Sequence, residues 1–186
     1  MIEAVNPRTV DDLLRSLDAG ATLKYLLFWG NQPNADGSIG KGCLSQWFEA
    51  GFEVDGQHYL TAEHFMMAEK ARLFGDEAAR FRILACRTPA EAKKLGRTVE
   101  AFDNAVWETA RFEIVVTANH AKFSQNLAMR DYLLATGSRV LVEASPVDRI
   151  WGIGLAANDM AALHPGAWLG LNLLGFALME VRSRLT

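Results

Sequence analysis

The chain has little of what would mark several kinds of protein. It has two cysteines in 186 residues, Cys43 and Cys86. They are too few and too far apart for a disulfide framework, and they suit a reducing compartment. The five prolines are scattered, and no repeat, low-complexity segment or linker interrupts the chain. No apolar run approaches the ~20 residues of a membrane span, and Leu26–Trp29 falls far short. The opening M-I-E-A-V-N-P-R is acidic early and lacks the apolar region of a secretion signal. A net charge of −3 offers no general field to gather nucleic acid, although a small basic pocket for a phosphate remains compatible with it. The four histidines, His58, His64, His120 and His164, form no H-x-x-x-H pair, and there is no C-x-x-C. A zinc site is therefore not expected. Ser124 and Ser145 lack the G-x-S-x-G context of a nucleophile elbow. Gly37–Gly42 reads G-S-I-G-K-G, which does not have the P-loop order. The expectation is a cytoplasmic, single-domain protein with no metal and no cofactor.

What is present is ordinary in amount and uneven in placement. Half of the residues are hydrophobic and 22% are charged, enough for a sizeable core. Val10–Leu17 reads as an amphipathic helix with Gly20 beyond its end, and Lys24–Trp29 as a buried strand. Asn31–Cys43 is rich in turn formers and reads as a long loop. Phe48–Val54 alternates loosely, and Asp55-Gly56 marks a tight turn before His58–Leu60, which predicts a hairpin. Helices dominate from Thr61. The first is capped by Thr61 and runs to Phe74 with Gly75 as its stop, and Glu77–Ala85 is the second. Thr88-Pro89-Ala90-Glu91 combines a cap, a proline in the first turn and a capping-box acid, and that helix ends at Gly96. Asp103 caps Asn104–Lys122. Leu127–Ala135 follows, then a strand at Arg139–Ala144, a loop at Ser145–Gly154 and a final helix at Leu171–Arg184. The pattern predicts a single compact, mostly helical α+β unit with a small β-sheet.

Ionisable groups inside apolar stretches are the candidates for chemistry. In T-A-E-H-F-M-M-A-E-K, Glu63 falls in the first turn and Lys70 nearly two turns later, on one face with Met66 and Met67 between them. They suit the wall of a polar pocket. A first-turn acid favoured by the helix dipole and a solvated lysine explain the same residues more simply. His64, in the same run, reads as a hydrogen-bonded core histidine. Trp107 and Arg111 are one turn apart, with a flat face for a base or sugar and a fork for a phosphate, though Trp is also a common core residue. In Ser145–Gly154, Asp148, Arg149 and Trp151 offer an acceptor, a cation and an aromatic surface on one loop. A structural turn accounts for them equally well. Arg97 follows Gly96 at a helix end, where the dipole favours a cation.

The motifs taken together are more specific. L-S-Q-W-F at Leu44–Phe48, Y-L-T-A-E-H-F-M-M-A-E-K at Tyr59–Lys70 and T-P-A-E-A-K-K-L-G-R at Thr88–Arg97 come first. F-D-x-x-x-W-x-x-x-R at Phe102–Arg111, A-K-F-S-Q-N at Ala121–Asn126 and L-L-A-T-G at Leu133–Gly137 follow. L-V-E-A-S-P-V-D-R-I-W-G-I-G at Leu141–Gly154 and N-L-L-G-F-A-L-M-E-V-R at Asn172–Arg182 complete the series. In this order they resemble the NADAR family, which includes YbiA-like N-glycosidases, from about Leu44 to Arg182.

The resemblance implies one α+β domain that hydrolyses N-glycosidic bonds. Its first implied substrate is a phosphoribosylaminopyrimidine intermediate of riboflavin synthesis. Alternatives are ADP-ribosylated guanine in DNA, the one case with a DNA partner, and ADP-ribose or nucleotide binding without turnover. The family's catalytic glutamate corresponds to Glu63, its stacking tryptophan to Trp107 and the acid of its late loop to Asp148. Lys70 is the lysine after the A-E pair, able to pair with phosphate or to attack the anomeric carbon and form an imine. Arg97 is the Gly-Arg arginine. Trp151, Arg111, Arg149 and Asn172, which opens the last motif, join Trp107 and Arg97 in the substrate-binding set. The partner is a ribosyl-phosphate or ADP-ribosyl small molecule. Asn31–Cys43 and Ala156–Gly170 depart from the family pattern, so substrate choice does not transfer from a relative.

Overall fold

The computed structural model describes residues 7–186; residues 1–6, most of the stretch read above for a secretion signal, lie outside the described residues. In chain order the elements are α1 (Val10–Asp18), β1 (Tyr25–Phe28), β2 (Phe52–Val54), β3 (Gln57–Tyr59), α2 (Ala62–Leu73), α3 (Glu77–Ala85), α4 (Pro89–Gly96), α5 (Asn104–Gln125), α6 (Leu127–Ala135), β4 (Val140–Glu143) and α7 (Leu173–Leu185). The protein is mostly helical α+β with little sheet. Among the described residues no helix is long and apolar enough to cross a membrane. The chain divides into two compact units. One is Gln46–Leu127 and the other is formed by the segments on either side of it.

In the Gln46–Leu127 unit, β2 and β3 form an antiparallel hairpin. Its turn takes positive φ at Asp55 and Gly56, 50° and 75°, the primed geometry that matches strand twist. Thr61 then caps α2, its hydroxyl accepting from the His64 N–H. This helix packs against α3, α4 and α5. Ala62 through Ala68 are all buried, so its first two turns have no solvent face and take Glu63 and His64 inside with them. Phe65, Met66 and Met67 are each buried, which stabilises by about 1.5–3 kcal/mol per side chain. Thr88 and Glu91 make the capping box of α4. The end of that helix lies hard against α2: a Cβ on Gly96 would sit 2.0 Å from Met67 Sδ.

In the other unit, β1 and β4 pair in parallel, with Tyr25 opposite Val140 and Phe28 opposite Glu143. Thr9 and Asp12 form a capping box on α1. The final helix, α7, packs on β4, and a Cβ on Gly175 would lie 2.0 Å from the Leu141 carbonyl oxygen. The segment after β4 folds back onto it, the Ile153 N–H donating to the Glu143 carbonyl at 2.9 Å.

Element types follow the sequence pattern, and the differences lie at ends. Trp29 is outside β1 and 58% exposed rather than buried, because the strand stops at Phe28 and Gly30 takes φ 85°. Helix α5 continues past Lys122 to Gln125, whose side chain bonds both the N–H and the carbonyl of Glu53 in the hairpin. Helix α7 starts at Leu173 rather than Leu171, because Asn172 is left-handed at φ 53°. Short 3-10 turns at Lys41–Leu44, Met160–Leu163 and Pro165–Ala167 had no sequence signal strong enough to place them.

Candidate active site

Glu63 is 3% exposed, two residues past the Thr61 cap. The helix N-terminus around it stabilises negative charge. Its N–H, one of the amides with no partner inside the helix, donates to the Gln46 carbonyl at 3.0 Å. Beside it, His64 lies on a second set of bonds. The Thr61 hydroxyl accepts from the His64 N–H and meets Nδ1 at 2.8 Å. Burial pushes the His64 pKa below its ordinary 6.5, against smaller upward effects of the Cys86 backbone and the Glu91 charge.

That depression predicts a pH dependence of stability. The folded chain holds His64 neutral, so the stability this adds is present above about pH 6.5 and is lost as pH falls towards the folded value. Chemical denaturation between about pH 8 and pH 5 should therefore show a falling midpoint that His64→Gln flattens. An unchanged slope in His64→Gln would rule out His64 as its source.

Seven residues along α2, roughly 10 Å by helical rise, Lys70 is half-buried. Its Nζ donates to the Gly96 carbonyl at 2.8 Å and lies 4.1 Å from the Phe102 ring centroid and 5.7 Å from that of Trp107. Burial lowers its pKa below 10.5, while carbonyl and ring faces hold the ammonium form. Trp107 and Arg111 are both buried on α5, and the Arg111 guanidinium is 3.9 Å from Glu108, beyond hydrogen-bond range. Lys70 thus meets the start of α5, whereas Gln46 links Glu63 to Asn119 near its end. Helices α2 and α5 therefore run antiparallel. Arg97 caps α4 and is exposed.

The other four expected residues belong to the second unit. One carboxylate oxygen of Asp148, Oδ1, accepts from the N–H groups of Ile150 and Trp151, each at 2.8 Å. The Asp148 N–H donates to Ser145 Oγ at 3.2 Å. This is a tight turn that fixes the carboxylate and leaves Oδ2 outside the turn's own bonding. Trp151 is half-buried and Arg149 is exposed. Asn172 is fully buried, and both ends of its amide are occupied by β4: Oδ1 accepts from the Glu143 N–H at 3.0 Å and Nδ2 donates to the Leu141 carbonyl at 3.0 Å.

Sequence reasoning passed over four polar residues. Gln46, Asn119 and Lys122 are buried in the Gln46–Leu127 unit. Glu143 is half-buried at the end of β4. Lys122 is the most unusual, with zero exposure and Nζ 5.1 Å from the Phe123 ring and 5.8 Å from that of Phe48. Lysine is rarely buried without a task. The available signal was spacing: Trp107, Arg111, Val115, Asn119 and Lys122 recur every three or four positions on one stripe of α5.

Comparison with known proteins bears on what this arrangement is for. The profile of the NADAR domain matches residues 27–186. The chain belongs to the NADAR family. An N-glycosidase of Acanthamoeba polyphaga mimivirus is 42% identical over 167 residues, which cover 87% of this chain and 96% of that protein. An N-glycosidase of Nostoc punctiforme is 35% identical over 144 residues, covering 77% of this chain and 85% of the relative. The NMR structure of the Escherichia coli protein YbiA superposes with a TM-score of 0.70 at 28% identity, over 89% of this NADAR chain and 87% of YbiA. With relatives of that activity matched over most of their length, this NADAR protein is an enzyme of the N-glycosidase class.

Proposed function

We propose that the protein hydrolyses the bond between ribose C1′ and a base nitrogen in a phosphoribosylated base, first of all a phosphoribosylaminopyrimidine intermediate of riboflavin synthesis. The carrying observation is Glu63, a buried carboxylate at a helix N-terminus with its main chain pinned by Gln46. As the bond to the base lengthens, positive charge grows at C1′, and a fixed carboxylate stabilises it. The same carboxylate takes the proton of the attacking water. The bond's electron pair leaves with the base nitrogen, which then takes up a proton. Trp107 supplies a face for the base, and Arg111 and Lys70 supply charge for the phosphate. We give Lys70 this cationic task rather than attack on C1′, because the Gly96 carbonyl and the Phe102 ring stabilise an ammonium ion. Asp148 belongs to the other unit, where its turn fixes the carboxylate and leaves Oδ2 outside the turn's own bonding. Neither Cys43 nor Cys86 is in a disulfide, which suits a cytoplasmic setting.

ADP-ribosylated guanine in DNA is the competing substrate, and the net charge of −3 disfavours it because a long polyanion gains from a basic surface. The deciding experiment is a product assay of the purified protein on a phosphoribosylaminopyrimidine, ADP-ribosylated guanine in DNA and free NAD, side by side. Release of the free pyrimidine with ribose 5-phosphate supports the reading. Turnover of the modified DNA alone replaces the substrate, and binding without any product overturns the reading.

A further inference from the structure

We infer that Gln46 and Asn119 are a positioning pair for Glu63; this rests on the assignment of Glu63 above and concerns what holds it in place. Gln46 touches the first two turns of α2, once in each. Its carbonyl accepts the Glu63 N–H at 3.0 Å, and its Nε2 reaches Met66 Sδ at 3.6 Å, three residues further along the helix. The remaining side-chain atom, Oε1, accepts from Asn119 Nδ2 at 2.8 Å. Asn119 gives its other amide hydrogen to the Val115 carbonyl at 2.9 Å. That second bond settles which way the amide faces, because its oxygen could not lie against a carbonyl. The two residues are 5% and 0% exposed. The main-chain carbonyl of Gln46 holds the Glu63 N–H and its buried carboxamide holds Asn119, so this one residue joins α5 to the backbone of the candidate catalytic residue.

The arrangement is a poor one for stability alone. Asn119 Oδ1 is buried and finds no donor among the described residues. A stranded acceptor costs free energy that a leucine of similar size would not. The pair makes sense as a geometric device, since a displacement of about 1 Å at a reacting group costs roughly 100-fold in rate. Gln46 and Asn119 act through Glu63 and are positioning residues.

The test compares Gln46→Leu/Asn119→Leu with Glu63→Gln and the unaltered protein, on hydrolysis of the phosphoribosylaminopyrimidine. Removing both amides strands no new polar group, so the melting temperature should hold or rise. KM should stay within about threefold while kcat falls about 10- to 100-fold. A folded double variant with unaltered kcat, beside an inactive Glu63→Gln, overturns the inference and leaves the Glu63 assignment standing. Unaltered kcat in Glu63→Gln overturns the assignment itself. A loss that merely follows the folded fraction also overturns the inference. If the double variant does not fold, Gln46→Met keeps the side-chain length without the acceptor for Asn119, and the same changes in kcat and KM are expected of it.

Discussion

Replacing Glu63 with glutamine should lower kcat by between about 10²- and 10⁴-fold and leave the fold nearly unchanged. The substitution keeps size and shape, removes the charge and turns one acceptor oxygen into an amide donor. Glu63 is 3% exposed and its N–H is bonded to the Gln46 carbonyl, contacts a glutamine retains. If its role were only to favour the start of α2, the cost would be confined to stability, about 0.3–1 kcal/mol for a first-turn acid. The two roles therefore separate cleanly in one variant. Steady-state kinetics with a thermal melt decide between them: a shifted melt with full turnover makes Glu63 a helix-start residue and no more.

Gly175→Ala should destabilise the protein by about 3 kcal/mol, because the new methyl group has nowhere to go. It would lie 2.0 Å from the Leu141 carbonyl oxygen and 2.6 Å from Asn172 Nδ2. These are a strand backbone and a fully buried amide, neither of which can swing aside. Alanine is otherwise the better helix residue by about 1 kcal/mol, so a site with free space would gain stability instead. The sign of the effect thus reports whether α7 lies directly on β4. For a chain of this size the loss corresponds to a melting temperature lower by roughly 6–12 °C. An unchanged or raised melting temperature would show that the helix stands off the strand.

Much of the local structure could be read from residues whose effect acts within one turn. Thr61 and Asp103 cap α2 and α5, Thr88 and Glu91 box α4, and Asp55-Gly56 turns the hairpin. Each involves groups no more than four positions apart, so the chain specifies them without reference to anything distant. The α+β character and family membership followed similarly, from element order and from motifs in series. Glu63, Trp107 and Asp148 were marked by the same motifs.

The surroundings of those residues were not legible, because burial depends on which faces meet. No amphipathic stripe on α2 showed that its first two turns are enclosed on all sides. Periodicity placed Asn119 and Lys122 on one stripe of α5, yet only packing made that stripe an interior carrying a lysine of zero exposure. Asn172 reads as a binding residue from its motif, whereas in the fold both ends of its amide bond β4. Trp29 ends an apolar run and still faces outward, because β1 stops one residue earlier. The sequence by itself determined the elements, their caps and the family, since these rest on neighbours along the chain. Tertiary structure alone decided which polar groups were taken out of water and what holds them, because contacts such as Gln46 to Asn119 join positions 73 residues apart.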